Sequence, residues 1–340
     1  MKPVSIVGGG LAGLALGHAL LGRGVPVRID EAGGYPRHRV CGEFLSGLDD
    51  ATIAALELAP LLSDAPRHQT VAWFCREQLG RTDRLPRPAF GISRHALDAR
   101  LARRFRERGG TLQTGLRVPA GSPVAGRVWA AGRRRAGSTW LGLKMHVRDL
   151  QPAADLELHL GDGAYVGLAQ VETGAFNVCG LFRRRREAEG KREALFFAYL
   201  RLAGLHDLAR RVASAPRVEG SFCAVAALGF ARAPQAPPGE IALGDALGMI
   251  PPFTGDGMAM ALQGAVAIGD PLSEYASDRQ SWPETVQGAR RALSRRFRRR
   301  FAAAAFAHPF LLHRRAQGLL TLVHRAGLLP FAACFRALHE

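Results

Sequence analysis

A chain of 340 residues with a 47% hydrophobic share can bury a sizeable core, enough for two interleaved domains. The formal charge of +17 would suit a nucleic-acid partner, but only Lys2, Lys144 and Lys191 are lysines, a skew that reads as coding bias; without a helix-turn-helix, zinc-finger, RNP or KH pattern, nucleic acid is set aside. Cys41, Cys75, Cys179, Cys223 and Cys334 lack CxxC spacing, which argues against a disulfide framework and a structural zinc, and no metal site is expected.

In chain order, a dinucleotide fingerprint comes first. Val4 to Val7 is an apolar strand, Gly8, Gly10 and Gly13 stand at GxGxxG spacing, and Leu11 to Leu21 is a helix. The first glycine permits a tight turn, the second lets backbone N–H groups approach a pyrophosphate, and the third lets helix pack against strand. A second strand, Val25 to Ile29, leads to Glu31, where an acid accepts hydrogen bonds from a ribose 2′-OH; Asp30 is the less suited neighbour. No charged n-region and apolar h-region precede the fingerprint, so a cytoplasmic chain is expected.

Gly33 to Gly47 reads as a loop, Leu48 to Leu62 as a helix, and Val71 to Phe74 as a strand before a Pro-rich passage through Pro88. Leu97, Leu101 and Phe105 give one apolar face to a helix over Ser93 to Arg108, ended by Gly109 and Gly110. Thr111 to Leu116 and Arg127 to Ala131 return as short strands to the nucleotide-binding sheet. From Leu141 the strands Leu141 to Val147, Leu156 to Leu160, Tyr165 to Val171 and Phe176 to Leu181 read as an antiparallel meander roofing one side of the cofactor. Lys144 and His146 share a face there; the ordinary reading is a solvent-facing pair, the alternative a pair of donors to substrate. Leu195 to Val212 is helical, Phe222 to Ala227 a strand, and Pro234 to Pro238 a linker, while Arg133 to Arg135 and Arg183 to Arg186 read as solvated turns.

A second chemistry-bearing segment runs from Ile241. A strand delivers Gly244 and Asp245, a loop with Pro252 and Gly255 follows, and a helix begins near Gly257. A helix N-terminus behind a glycine loop presents free N–H groups and positive potential, which suits a phosphate or an anionic ring, and Asp245 can bond a ribityl hydroxyl. Beyond Trp282 the chain is helical, with arginines interleaved among Phe297, Phe301, Phe306 and Phe310. Such helices cap a core or lie on an anionic membrane surface, and capping is the preferred reading. The apolar end from Ala326 to Phe335 is too short to span a bilayer, as is every other uninterrupted apolar run.

The glycines at 8, 10 and 13, the segment Ser93-Arg94-His95-Ala96-Leu97-Asp98 and the stretch from Gly244-Asp245 to Gly257 stand in an order that resembles the FAD-dependent oxidoreductases of the aromatic-hydroxylase (flavoprotein monooxygenase) and geranylgeranyl-reductase superfamily. The loop from Pro36 to Ser46, with Arg39 and Cys41-Gly42-Glu43, is similar more narrowly to the reductase-like branch. The resemblance implies FAD as cofactor, Asp245 at its ribityl and pyrophosphate region, Arg94 and Arg39 in contact with it, and Cys41 beside the flavin ring as the candidate catalytic residue. It implies NADPH or NADH as external reductant, although Ala130-Ala131-Gly132-Arg133 stands where hydroxylases often carry Ala-Asp-Gly and no second GxGxxG occurs.

The implied fold is α/β: a Rossmann-type FAD-binding domain (residues 1–70, 91–138 and 234–282) interleaved with an antiparallel β-sheet substrate domain (71–90 and 139–233), plus C-terminal helices (283–340). The function expected is hydride reduction of a C=C bond in a hydrophobic, isoprenoid- or polyketide-like molecule. The alternatives are a flavin C4a-hydroperoxide monooxygenase acting on an aromatic or polyketide substrate, and a non-catalytic, membrane-associated flavin-binding protein.

Overall fold

In the computed structural model, which describes residues 1–133, 137–230 and 236–339, β1 (Val4–Val7), α1 (Leu11–Leu21) and β2 (Val27–Glu31) form the unit expected from the glycine fingerprint. The second strand starts late because Pro26 has no N–H to give a ladder. The following loop contains a short strand, β3 (Phe44–Leu45). The helix expected over 48–62 is instead α2 (Asp50–Ala55), capped by the Asp49 side chain on the Thr52 N–H, and a separate 3-10 turn over Ala59–Leu62. Glu57, at φ +48°, breaks the two apart.

The Pro-rich passage is a larger correction, since β4 (Arg67–Cys75) and β5 (Gln78–Gly91) make a long hairpin there. Pro86 and Pro88 fall where the register shifts between the pairs Thr70–Arg84 and His68–Ala89, a stretch in which a missing N–H removes no ladder bond. Next, α3 (Arg94–Glu107) is capped by the Ser93 side chain and buries Leu97, Leu101 and Phe105, as their spacing requires. The strands β6 (Thr111–Thr114), β7 (Arg127–Trp129), β8 (Trp140–Val147), β9 (Leu156–Gly161), β10 (Ala164–Gln170) and β11 (Phe176–Arg183) follow. The helix expected over 195–212 divides at Gly204, φ +74°, into α4 (Glu193–Leu202) and α5 (His206–Ser214).

The chain continues through β12 (Cys223–Ala226), β13 (Ile241–Ala242), α6 (Gly257–Ala267) and α7 (Gly269–Ala276). It ends in α8 (Trp282–Ala307), α9 (Arg314–Arg325) and α10 (Phe331–His339). Of the expected linker, Pro234 and Gln235 lie outside the described residues, as do Arg134 and Arg135 of the first arginine run.

Two sheets result. One is parallel, in the order β13-β7-β1-β2-β6; the other has eight strands in the order β12-β8-β11-β10-β9-β4-β5-β3. Within the second, β9, β10 and β11 are the expected meander, but β8 joins it through β11, and β4 runs parallel along β9. That sheet is therefore mixed rather than wholly antiparallel. Leu14, Leu16, Leu20, Ile29, Leu101 and Phe105 belong to a core between the parallel sheet and its helices, where each fully buried large side chain contributes roughly 1.5–3 kcal/mol. Leu143, Val166, Val178 and Phe182 bury one face of the large sheet against Phe196 and Leu200 of α4, which leaves the opposite face to the parallel sheet's side.

Candidate functional site

Cross-strand register selects what that opposite face displays. Lys144 stands opposite both Cys179 and Cys223, Gly167 opposite Cys179 and Leu158, and Tyr165 opposite Leu181, so these side chains share one surface. The face helps to enclose a cavity of about 1550 Å³. Gly8, Gly10, Glu31, Arg39, Cys41 and Arg94 line it, and so do Gly244, Asp245, Pro252, Gly255 and Gly257. Thus the fold brings the sequence-predicted residues to one space, except Gly13, which serves the turn from behind.

A Cβ on Gly13 would lie 1.9 Å from the Gly8 carbonyl oxygen, and one on Gly8, at φ +104°, would lie 2.4 Å from that of Ala130. Both glycines are fixed by close backbone approach. Gly10 differs: a Cβ there meets nothing within 4 Å, so this position borders open cavity. Gly10 also begins α1 without a side-chain cap and with no acidic residue in the first turn, and α6 likewise starts without a side-chain cap bond. Both helices therefore turn free N–H groups and the positive ends of their dipoles to the cavity.

Arg94 grips Asp98 through Nε and Nη2, each at 2.8 Å, and Arg39 reaches the same carboxylate at 3.2 Å. Burial works against the charge of Arg94, but the Asp98 carboxylate more than restores it, so a fixed cation borders the cavity. Burial pushes the Asp245 carboxyl up, while Arg94, Arg133 and Arg39 pull it back. Glu31 accepts the N–H groups of Gly9 and Gly33, each at 2.8 Å, and Arg37 at 3.1 Å, which ties the glycine turn to the loop after β2. The donor set fits FAD: helix N-termini and guanidiniums suit its diphosphate, Glu31 and Asp245 suit its hydroxyls, and Gly10 leaves the cradle empty of side chain.

The polar centre of the site is one that sequence reasoning missed. Lys144 and His146 are not solvent-facing: they are 0% and 3% exposed, and both bind the equally buried Glu43. Lys144 Nζ donates to Glu43 Oε1 at 2.7 Å, His146 Nε2 pairs with Oε2 at 2.6 Å, and the Arg94 N–H donates to Oε1 at 2.9 Å. Burial alone would raise the Glu43 carboxyl, but the bonds from His146 and Lys144 outweigh it and hold the group below the usual range. His38 accepts from Lys144 at Nδ1, 3.3 Å away, and stacks on His95 with ring centroids 4.4 Å apart. Burial, then Lys144, His146 and His95, push His38 down to about 4, so the ring is neutral at pH 7. His38, Glu43 and His146 carry ligand atoms within 4.8 Å of one another, but the cation placed among them is the Lys144 ammonium. Only the shared face of Lys144 and His146 was visible locally; their partner lies a hundred residues away.

Cys41 borders the cavity beside this cluster, and Asn177 Nδ2 holds the loop by the Cys41 and Gly42 carbonyls at 3.1 and 2.7 Å. Burial pushes the Cys41 thiol up, which disfavours a thiolate and makes the side chain part of the wall. Away from the glycines the lining is apolar, with Trp73, Leu158, Leu181, Phe253, Phe310 and Phe331. The last two come from the chain beyond α8, so the C-terminal helices close the cavity as well as cap a core.

The chain shares its two-sheet architecture with flavin-binding proteins of solved structure. In particular, it is similar to the flavin-dependent brominase Bmp2, at 18% identity over 99% of this chain and 92% of that one, with a TM-score of 0.77. PqsL of P. aeruginosa, solved with 2-aminobenzoylacetate, is 15% identical over 98% of this chain and 99% of that one, with a TM-score of 0.74. HpxO of Klebsiella pneumoniae, complexed with FAD and uric acid, is 15% identical over 99% and 97% of the two chains, with a TM-score of 0.74. No family model matches the sequence, and no curated protein matches it.

Proposed function

We propose that the protein is an FAD-dependent monooxygenase acting on a hydrophobic small molecule of aromatic or polyketide type. The observation that carries this reading is a single cavity whose one end has the anion-binding helix termini, Arg39, Arg94 and Asp245, and whose other end is aromatic and aliphatic. The similar structures support oxygen chemistry over reduction of a C=C bond: PqsL is named a probable FAD-dependent monooxygenase and Bmp2 a flavin-dependent brominase. Bound FAD would supply two-electron chemistry, taking reducing equivalents from a nicotinamide donor and passing them to dioxygen.

The chain's own groups divide the work. The α1 N-terminus with Arg39 and Arg94 would hold the diphosphate, Glu31 the ribose, Asp245 the ribityl chain, and the α6 N-terminus the electron-rich side of the ring. The apolar sheet face excludes water and orients the substrate. His38, neutral and accepting Lys144 at Nδ1, keeps its hydrogen on Nε2, where it can donate to a ligand in the cavity it lines.

The test is anaerobic mixing of the FAD-loaded protein with NADPH or NADH, followed by isotope-labelled dioxygen and a panel of apolar phenols. Bleaching of the flavin band and label in a hydroxylated product are expected. Bleaching with a hydrogenated, unlabelled product would replace this reading with the reductase.

A further inference from the structure

Helix α9 turns Leu320 inward but also has polar side chains buried and leucines exposed. Its buried side chains include Gln317 and His324, 1% and 4% exposed; Gln317 Nε2 donates to the carbonyls of Gly161 and Leu311 at 2.8 and 2.7 Å, and His324 bonds Asp83. Its outward stripe carries Leu319 and Leu322, 62% and 67% exposed, with Leu328 just beyond at 73%. An ordinary surface helix does the reverse, placing apolar residues inward and polar ones toward water. Phe306 and Phe310 lie tilted against each other with ring centroids 5.4 Å apart, are 74% and 43% exposed, and also line the cavity, so its rim there is apolar.

The charge that the C-terminal chain brings to this surface has one sign. Between Glu284 and Glu340 the sequence holds eleven arginines and no carboxylate side chain. Arg315 and Arg325 flank the two exposed leucines on α9 itself, and both are exposed. An apolar stripe framed by arginines, on a helix that carries no acidic residue of its own, matches an anionic lipid bilayer, where leucine enters the acyl boundary and guanidinium meets the headgroups. No described helix is long and apolar enough to cross a membrane, so the contact is peripheral.

We propose that the outer faces of α9 and of the Phe306–Phe310 turn dock on an anionic bilayer, and that docking sets the apolar rim of the cavity against the lipid. A water-insoluble molecule would then pass from bilayer to cavity without crossing water.

The test is cosedimentation of the FAD-loaded full chain with vesicles of phosphatidylglycerol and phosphatidylcholine, and with pure phosphatidylcholine. Binding to the anionic vesicles that weakens with salt is expected. Leu319→Ser with Leu322→Ser should lower the partition coefficient on the order of tenfold or more, and Arg315→Gln roughly fivefold, with unchanged circular dichroism. Phe306→Trp should gain a fluorescence signal quenched by brominated acyl chains. Wild-type protein that stays off anionic vesicles, the leucine variant binding as well as wild type, or an indole signal in the Phe306→Trp variant untouched by the quencher would each overturn the proposal. So would a concentration-dependent dimer that the leucine changes abolish, because a second copy would then cover the face. None of these readouts needs turnover, so the proposal fails or holds apart from the monooxygenase reading.

Discussion

The three glycines of one motif differ in their surroundings. Gly13 is dictated by the backbone of the turn at Gly8 and Gly8 by the backbone of Ala130 after β7, whereas a Cβ on Gly10 would meet nothing and border open cavity. Gly13→Ala would drive a methyl group into the Gly8 carbonyl and should destabilise the fold by roughly 1–3 kcal/mol, read by denaturant unfolding. Lys144 is a second case in which a single atom matters. Lys144→Met would leave Glu43 buried without its ammonium partner and should cost roughly 3–5 kcal/mol, much of it restored in the double variant with Glu43→Gln. If the double variant unfolded as easily as the single, the ion pair would not be the cause.

His308 gives the pH dependence. It lies among Trp140, Phe230 and Phe253, and burial pushes it down to about 4 from an ordinary value of 6.5. Between those pH values the unfolded chain takes up a proton that the folded chain refuses, so His308 contributes a loss of stability as pH drops from 6.5 to 4 and none below, whereas Asp256, raised by burial to about 7, contributes a gain over the same window. His38 contributes in the same direction. Melting temperature followed over this window should lose less on acidification in His308→Phe than in the wild type; the same slope in both would show that His308 contributes nothing to it.

At the scale of elements, local pattern revealed what local forces decide. The bounds of α1 and the buried face of α3 follow from apolar spacing and from the glycines and Ser93 that punctuate them. β5 was hidden because Pro86 and Pro88 read as loop, and only its pairing with β4 shows that no ladder bond is lost there. The strand order was hidden for a related reason: β4 beside β9 is a contact between distant segments that neither segment encodes alone. The C-terminal helices read as a cap, and they are one, since Phe331 and Phe335 of α10 pack with Phe44, Val71 and Leu85. Removing residues 330–340 should therefore open the cavity, and bound flavin should become more accessible to quenching by iodide. Flavin equally shielded after truncation would mean that α10 covers nothing of consequence.

Across the whole molecule, the glycine-rich end of the cavity was legible because its residues sit in short motifs with fixed spacing. The apolar end was not, because Trp73, Tyr165, Phe253, Phe310 and Phe331 come from five separate segments and meet only after folding. The same holds for Glu43 with Lys144 and His146, where one partner sits in a loop near the parallel sheet and the others on β8. What joins the two ends is a cavity between sheets. Gly10 tests whether that cavity holds a flavin most directly, because the position combines open space with the α1 N-terminus.

The measurement is FAD binding, by flavin fluorescence quenching on titration, for the wild type and Gly10→Val, with circular dichroism and melting temperature recorded on both. Matched spectra and melting temperatures are expected, since a Cβ at Gly10 meets nothing within 4 Å, together with tight binding by the wild type and loss of binding by the variant. A folded Gly10→Val protein that binds FAD as well as the wild type would contradict the flavin assignment.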